Sequence, residues 1–139
     1  MSGKCFVDTN ILVYAHDITQ GAKHERAREL VSKLWESGEG VLSTQVLQEL
    51  CVTVRRKAAR PLSSENTRKL IADYLKWSVV VNTAESVLEA LDLESRFQIS
   101  FWDALIVQAA TSSGAEILFS EDLAEGQRYG DVRVVNPLK

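Results

Sequence analysis

The chain has 139 residues, and 16 Lys plus Arg against 19 Asp plus Glu leave a formal charge of −3. At 45% apolar and 25% charged residues this is the composition of a folded globular domain, not of a disordered chain. The longest apolar run, Ile11–Ala15, is far too short to cross a bilayer, and no charged-then-apolar leader opens the chain. Cys5 and Cys51 have no CxxC spacing, which excludes a disulfide scaffold or zinc ribbon and makes a reducing cytoplasm the simplest setting. The mild acidity argues against a broad basic face for nucleic acid.

In chain order, Lys4–Val7 is a short apolar strand, and an apolar segment follows from Ile11. Ala27, Leu30, Val31, Leu34 and Trp35 then fall at i, i+3, i+4, i+7 and i+8, the spacing of an amphipathic helix. Val41–Ser43 is a second strand, and Val46, Leu47, Leu50, Cys51 and Val54 repeat the helical pattern. The stretch Ala59–Ser64 reads as a helix–helix turn, and the Ser63/Ser64 cap opens a helix carrying Leu70, Ile71, Tyr74 and Leu75 on one side. Ser78–Val81 is β-branched and is expected as a buried strand. Val87, Leu88 and Leu91 mark the next helix, and Ala104–Ala110 another, ended by Ser113-Gly114. Ile117–Phe119 and Val132–Val135 are the last strands. Short apolar strands alternating with helices predict a single α/β domain over residues 1–139, with a mainly parallel sheet flanked by helices. Ligands in such folds bind beyond the carboxyl ends of the strands.

Four carboxylates fall where that rule points. Asp8 directly follows the first strand, and Asp122 follows Ile117–Phe119. Asp103 lies in the first turn of its helix. Glu49 lies roughly 60° outside the apolar stripe of its own, placed to lean over the sheet edge. Each has an ordinary structural explanation. Asp8 can cap the following helix, Ser100 and Asp103 can form a capping box, Asp122 can favour a helix dipole, and Glu49 can be a solvated flank residue. Together they describe something more specific. Carboxylates converging in one cleft repel unless a cation neutralises them, and oxygen-only ligands select hard ions such as Mg²⁺ or Mn²⁺. An ion of that kind equips a site to hydrolyse a phosphodiester.

At these segments the chain resembles the PIN-domain nucleases, and especially the VapC-type toxins of bacterial toxin–antitoxin pairs. FVDTNILVYA at 6–15, LSTQVLQEL at 42–50, SFWDALIVQAA at 100–110 and LFSEDL at 118–123 are similar to the family's four acidic motifs, in order. RVVNP at 133–137 resembles its final strand. Ser120 stands where the family often has Thr, and Glu121 and Asp122 both offer an acid there, of which Asp122 is taken. The resemblance implies a metal-dependent endoribonuclease acting on single-stranded RNA. Asp8 and Asp103 would hold the ion, Glu49 and Asp122 would complete the catalytic pocket, and Asn10 and Ser120 would orient ligands. It also implies a cognate antitoxin partner and a homodimer.

Other features compete for a role. Arg55, Arg56, Lys57 and Arg60 form the densest basic cluster and can attract RNA phosphates, or simply end a helix in solvent. Trp35, Trp77 and Trp102 lie near apolar helical positions and are expected in the core, although each can stack on a base. Cys5 and Cys51 are also expected in the core. His16 and His24 offer an alternative acid–base pair. No phosphate-cradling GxxxxGK or GxGxxG is present. A phospho-acceptor receiver domain also gathers acids at strand ends. It would use a late Lys, and none occurs between Trp77 and Leu138. A non-catalytic PIN-like RNA-binding module is the remaining alternative, although all four acidic positions are filled.

Overall fold

Cys5–Val7 forms β1, buried on both faces at the centre of the sheet, as its unbroken apolar run requires. In the computed structural model, which describes residues 3–56 and 60–139, the chain proceeds through α1 (Thr9–His16), a 3₁₀ turn (Ile18–Gln20) and α2 (Ala22–Ser37). β2 (Gly40–Ser43), α3 (Thr44–Arg56), α4 (Ser64–Tyr74) and β3 (Ser78–Val80) follow. The remaining elements are α5 (Ala84–Phe97), α6 (Phe101–Ser112), β4 (Ile117–Phe119), β5 (Arg128–Tyr129) and β6 (Val132–Val135). The strands lie in the order β3-β2-β1-β4-β6-β5. All neighbours are parallel except the hairpin pair β5 and β6.

This order positions the site. The chain winds outward from β1 through β2 to β3, then returns to the other side of β1 with β4. The reversal between β1 and β4 is a topological switch point, where connections leave in opposite directions and open a crevice. The register pairs Val7 with Phe119, so Asp8 and Ser120 emerge side by side. The Asp8 N–H still bonds the Phe119 carbonyl at 2.9 Å.

Side chains of β1, β2 and β4 pack with α1, α2 and α3 in one apolar core. α6 is buried continuously from Ala104 to Ala110, and Ala104 and Leu105 meet Ala90 of α5 in a smaller cluster. Gly40 shows why β2 begins with glycine. A Cβ there would lie 2.4 Å from the Trp77 ring, so the indole rests directly on the backbone. Among the described residues, no helix is long and apolar enough to cross a membrane.

Several expectations need correction. β3 is an edge strand and only partly buried, since its β-branched residues have a strand on one side alone. Val87, Leu88 and Leu91 do lie on a helix, but they face outward, with Leu88 65% exposed; α5 docks through Ala90, Leu93 and Phe97 instead. Leu75, at the end of α4, also faces solvent. Cys51 is half-buried beside α4 rather than in the core. Cys5 is buried as expected, and burial aided by Glu39 and Glu116 pushes its thiol up to about 11.

Candidate active site

The first turn of α1 organises the site. Asp8 has extended backbone (φ −71°, ψ 155°) and is the N-cap of α1. Its Oδ1 accepts the Thr9 N–H at 2.7 Å, while Oδ2 accepts the Ser120 hydroxyl at 2.9 Å. The Thr9 hydroxyl donates to Glu49 Oε1 at 2.7 Å. Asn10 Nδ2 donates to Asp122 Oδ2 at 2.5 Å. Three consecutive residues thus tie the start of α1 to side chains from α3 (Glu49) and from the segment after β4 (Ser120 and Asp122). Capping and site-building are therefore the same act for Asp8, not competing explanations.

The neighbouring elements are pinned as firmly. Asn82 Oδ1, just beyond β3, accepts the Thr44 hydroxyl at 2.8 Å and the Gln45 N–H at 2.9 Å. That cap fixes the start of α3 and hence the aim of Glu49. Ser100 caps α6, its Oγ accepting the Asp103 N–H at 3.1 Å. Gln45 Nε2 donates to the Trp102 carbonyl at 3.2 Å, joining α3 to α6. Ser120 Oγ also accepts the Leu123 N–H at 3.3 Å, which shapes the turn after β4.

The result is an open cleft of about 530 Å³ whose walls include Asp8, Glu49, Asp103 and Asp122, with Val52, Trp102 and Ile106 as apolar lining. Among the described residues, no Lys, Arg or His lines it. Its acids are satisfied by neutral donors, which orient charge without cancelling it. Asp8, 7% exposed, is pushed up to about 7, chiefly by burial and further by the charges of Glu49 and Asp103. Hydrogen bonds from Ser120 and Thr9 pull the other way. Burial also raises Asp103, with Asp122 adding to the effect and Ser100 opposing it. These are the marks of carboxylates confined together without a counter-charge. The donor chemistry, all oxygen and negatively charged, fits a hard divalent cation. Among the described residues, no three His, Cys, Asp or Glu side chains form a ready-made ion cage; the acids share walls rather than a point.

Glu121 and Asp122 are separated by their partners. Glu121 accepts the Tyr14 hydroxyl at 2.8 Å and pairs with Lys23 at 2.6 Å, and Lys23 holds its carboxyl below the usual range. Asp122 lines the cleft. The histidines lie elsewhere. His24 is buried with Nδ1 2.9 Å from the Tyr14 carbonyl, and His16 Nε2 is 2.7 Å from the Tyr74 hydroxyl. The basic cluster divides: Arg55 lines a groove between α3 and α4, where its Nε bonds the Cys51 carbonyl. Arg56 follows Glu49 by two turns on the same face of α3. Arg60 is exposed, and Lys57 lies outside the described residues.

Of the tryptophans, Trp77 is buried, and half-exposed Trp35 packs on it and on Tyr74. Trp102 is 63% exposed at the cleft, against the expectation of core packing. Sequence reasoning also missed Thr9 and Gln45. Adjacency to Asp8 was the only available signal for Thr9, and nothing local marks Gln45.

Comparison with known proteins agrees with this fold. The PIN domain family model matches residues 5–125. No curated protein matches the sequence significantly. Among solved structures, the chain is similar to the Mycobacterium tuberculosis VapC20, a sarcin–ricin loop cleaving toxin, with a TM-score of 0.65, 20% identity and coverage of 86% of this chain and 90% of that one. The Rickettsia felis VapBC2 complex bound to promoter DNA gives 0.66, 20%, 95% and 97%. A toxin–antitoxin complex from Klebsiella pneumoniae gives 0.68, 18%, 96% and 98%. At these identities the likeness is one of fold.

Proposed function

The chain belongs to the PIN-domain family, and from that premise we propose that it is a metal-dependent endoribonuclease cleaving single-stranded RNA, the toxin of a toxin–antitoxin pair. One observation carries the reading: Asp8, Glu49, Asp103 and Asp122, from four parts of the chain, line one cleft with no basic side chain among the described residues. Support also comes from similar folds, one of them a sarcin–ricin loop cleaving toxin and another a toxin–antitoxin complex.

Asp8 and Asp103 would hold Mg²⁺ or Mn²⁺, with Glu49 and Asp122 completing the acidic pocket. When bound, such an ion supplies charge stabilisation at a phosphoryl oxygen and lowers the pKa of water. The protein's part is positioning. Ser120 and Thr9 fix both oxygens of Asp8, so its carboxylate enters the site already oriented. Thr9 occupies Oε1 of Glu49 and leaves Oε2 to accept a proton from attacking water. Asn10 holds Asp122 by one oxygen in the same manner. The acidic cleft repels RNA phosphates until it is neutralised, which couples substrate entry to the cation.

The same reading places the protein in the cytoplasm, with an antitoxin laying a segment over the cleft. A second copy of the chain would cover the outward apolar residues of α5. The decisive experiment incubates purified protein with single-stranded RNA in Mg²⁺, Mn²⁺ or EDTA, beside Asp8→Asn. Cleavage by wild type alone, abolished by EDTA, is expected. Undiminished cutting in EDTA overturns the metal requirement, and no cutting in any condition overturns the nuclease.

A further inference from the structure

Trp102 is the large apolar side chain that the fold leaves uncovered beside the acids. It sits in the first turn of α6, 63% exposed, immediately before Asp103. α6 is buried from Ala104 to Ala110 and ends in the polar Thr111 and Ser112, so the helix offers solvent a ring only at its cleft end. The ring is not loose. Gln45, itself buried, holds the Trp102 carbonyl from α3. The Phe101 ring stands nearly perpendicular to it, at 77° with centroids 5.4 Å apart. Val52, 41% exposed on α3, and Ile106 continue the apolar strip along the cleft. The lining is therefore divided between acidic, hydrogen-bonding groups and an apolar strip that ends in a flat, exposed ring.

That division matches the two halves of a nucleotide. We infer that Trp102 is the stacking platform for a base of the RNA strand, flanking the phosphodiester presented to Asp8 and Asp103. The inference rests on the nuclease reading above and specifies how that site grips its substrate. Bases in single-stranded RNA are unstacked and present a π-face to any fixed aromatic ring, whereas paired bases do not. Trp102 and Asp103 are consecutive, so a base on the indole keeps its own phosphate within reach of the acids. Stacking tolerates every base, so the platform selects for single strands more than for sequence.

The test compares wild type, Trp102→Ala and Trp102→Phe in full-length protein. Its probes are a single-stranded oligoribonucleotide that the wild type cuts and the same oligonucleotide with abasic positions around the cut. Trp102→Ala should raise KM roughly tenfold with kcat little changed, and Trp102→Phe should restore most of the loss. As a competitor, the intact strand should outperform the abasic one against wild type, and the two should be equal against Trp102→Ala. With Mg²⁺ present, rapid mixing with the intact strand should quench tryptophan fluorescence in wild type before the strand is cut, but not in Trp102→Phe. Equal melting temperatures are expected, since the side chain is exposed. If wild type cleaves RNA but Trp102→Ala retains its KM and its preference for the intact strand, the platform is wrong and the nuclease stands. If Trp102→Ala loses antitoxin binding alone, the ring belongs to a protein interface and the inference is overturned. If wild type cuts nothing, both readings fall.

Discussion

The hydroxyl of Thr9 donates to Oε1 of Glu49 across 40 residues of sequence, joining the first turn of α1 to the middle of α3. Thr9 is buried, so Thr9→Val keeps shape and β-branching while removing the donor. We expect the variant to lose about 1 kcal/mol of stability. Its RNA cleavage should fall about tenfold, through kcat, because Glu49 is no longer held. Thr9→Ser should retain both, as measured by urea melts and initial rates.

Asp8 links stability to pH in the metal-free protein. Its carboxyl lies near 7 in the fold against an ordinary value of 3.8. Below pH 3.8 it is protonated in both states and costs nothing. As pH rises the unfolded chain ionises first, so stability is lost progressively up to about 7 and the loss is constant above. Asp8→Asn should flatten that interval, removing a slope on the order of a few kcal/mol. Added Mg²⁺ or Mn²⁺ should restore wild type above pH 7 and leave the variant unmoved. Denaturant melts in EDTA across this range, at fixed protein concentration, check both statements.

Asp103→Asn separates a cap from a site acid. The cap of α6 is the Ser100 hydroxyl accepting the backbone N–H of residue 103, which asparagine keeps. The substitution removes a partly buried negative charge that feels the charge of Asp122. Metal-free Asp103→Asn should therefore melt no lower than wild type, while RNA cleavage is abolished. A fall of several degrees in both EDTA and excess metal, with cleavage intact, would return Asp103 to a helix-capping role.

The two arginines ending α3 should behave differently. Arg56 shares a face with Glu49, whereas Arg55 is turned into the groove against α4. Arg56→Ala should lower the log–log salt slope of single-stranded RNA binding by about 0.7, the value for one lost phosphate contact. Arg55→Ala should leave the slope unchanged. Anisotropy titrations over a range of KCl read the difference.

Where residues announce themselves locally, the sequence was readable. β1, β2, β4 and β6 are short apolar runs bounded by polar residues, and the four acids follow or flank them. The two-residue β5 is too short to leave a period. The β-branched run at β3 signals a strand but not its number of neighbours, so its place at the sheet edge was invisible. Periodicity found α5 through Val87, Leu88 and Leu91, yet could not tell that smaller Ala90 faces inward. Trp102 was misplaced for a related reason: apolar character predicts burial only where another element arrives to cover it. The bond from Thr9 to Glu49 depends on how two helices converge, and no spacing within either segment encodes that.

The first turn of α1 has one more consequence. Because Asp8, Thr9 and Asn10 bond Ser120, Glu49 and Asp122, from α3 and the segment after β4, the acids Asp8, Glu49 and Asp122 do not have independent positions. Displacing the turn misaligns all of them together, and the first loss leaves little for a second to remove. Rate defects of paired substitutions among these residues should therefore saturate rather than multiply. Such a turn behaves as a single point of failure, so a change that merely tilts α1, without touching a carboxylate, would silence the protein as fully as deleting an acid.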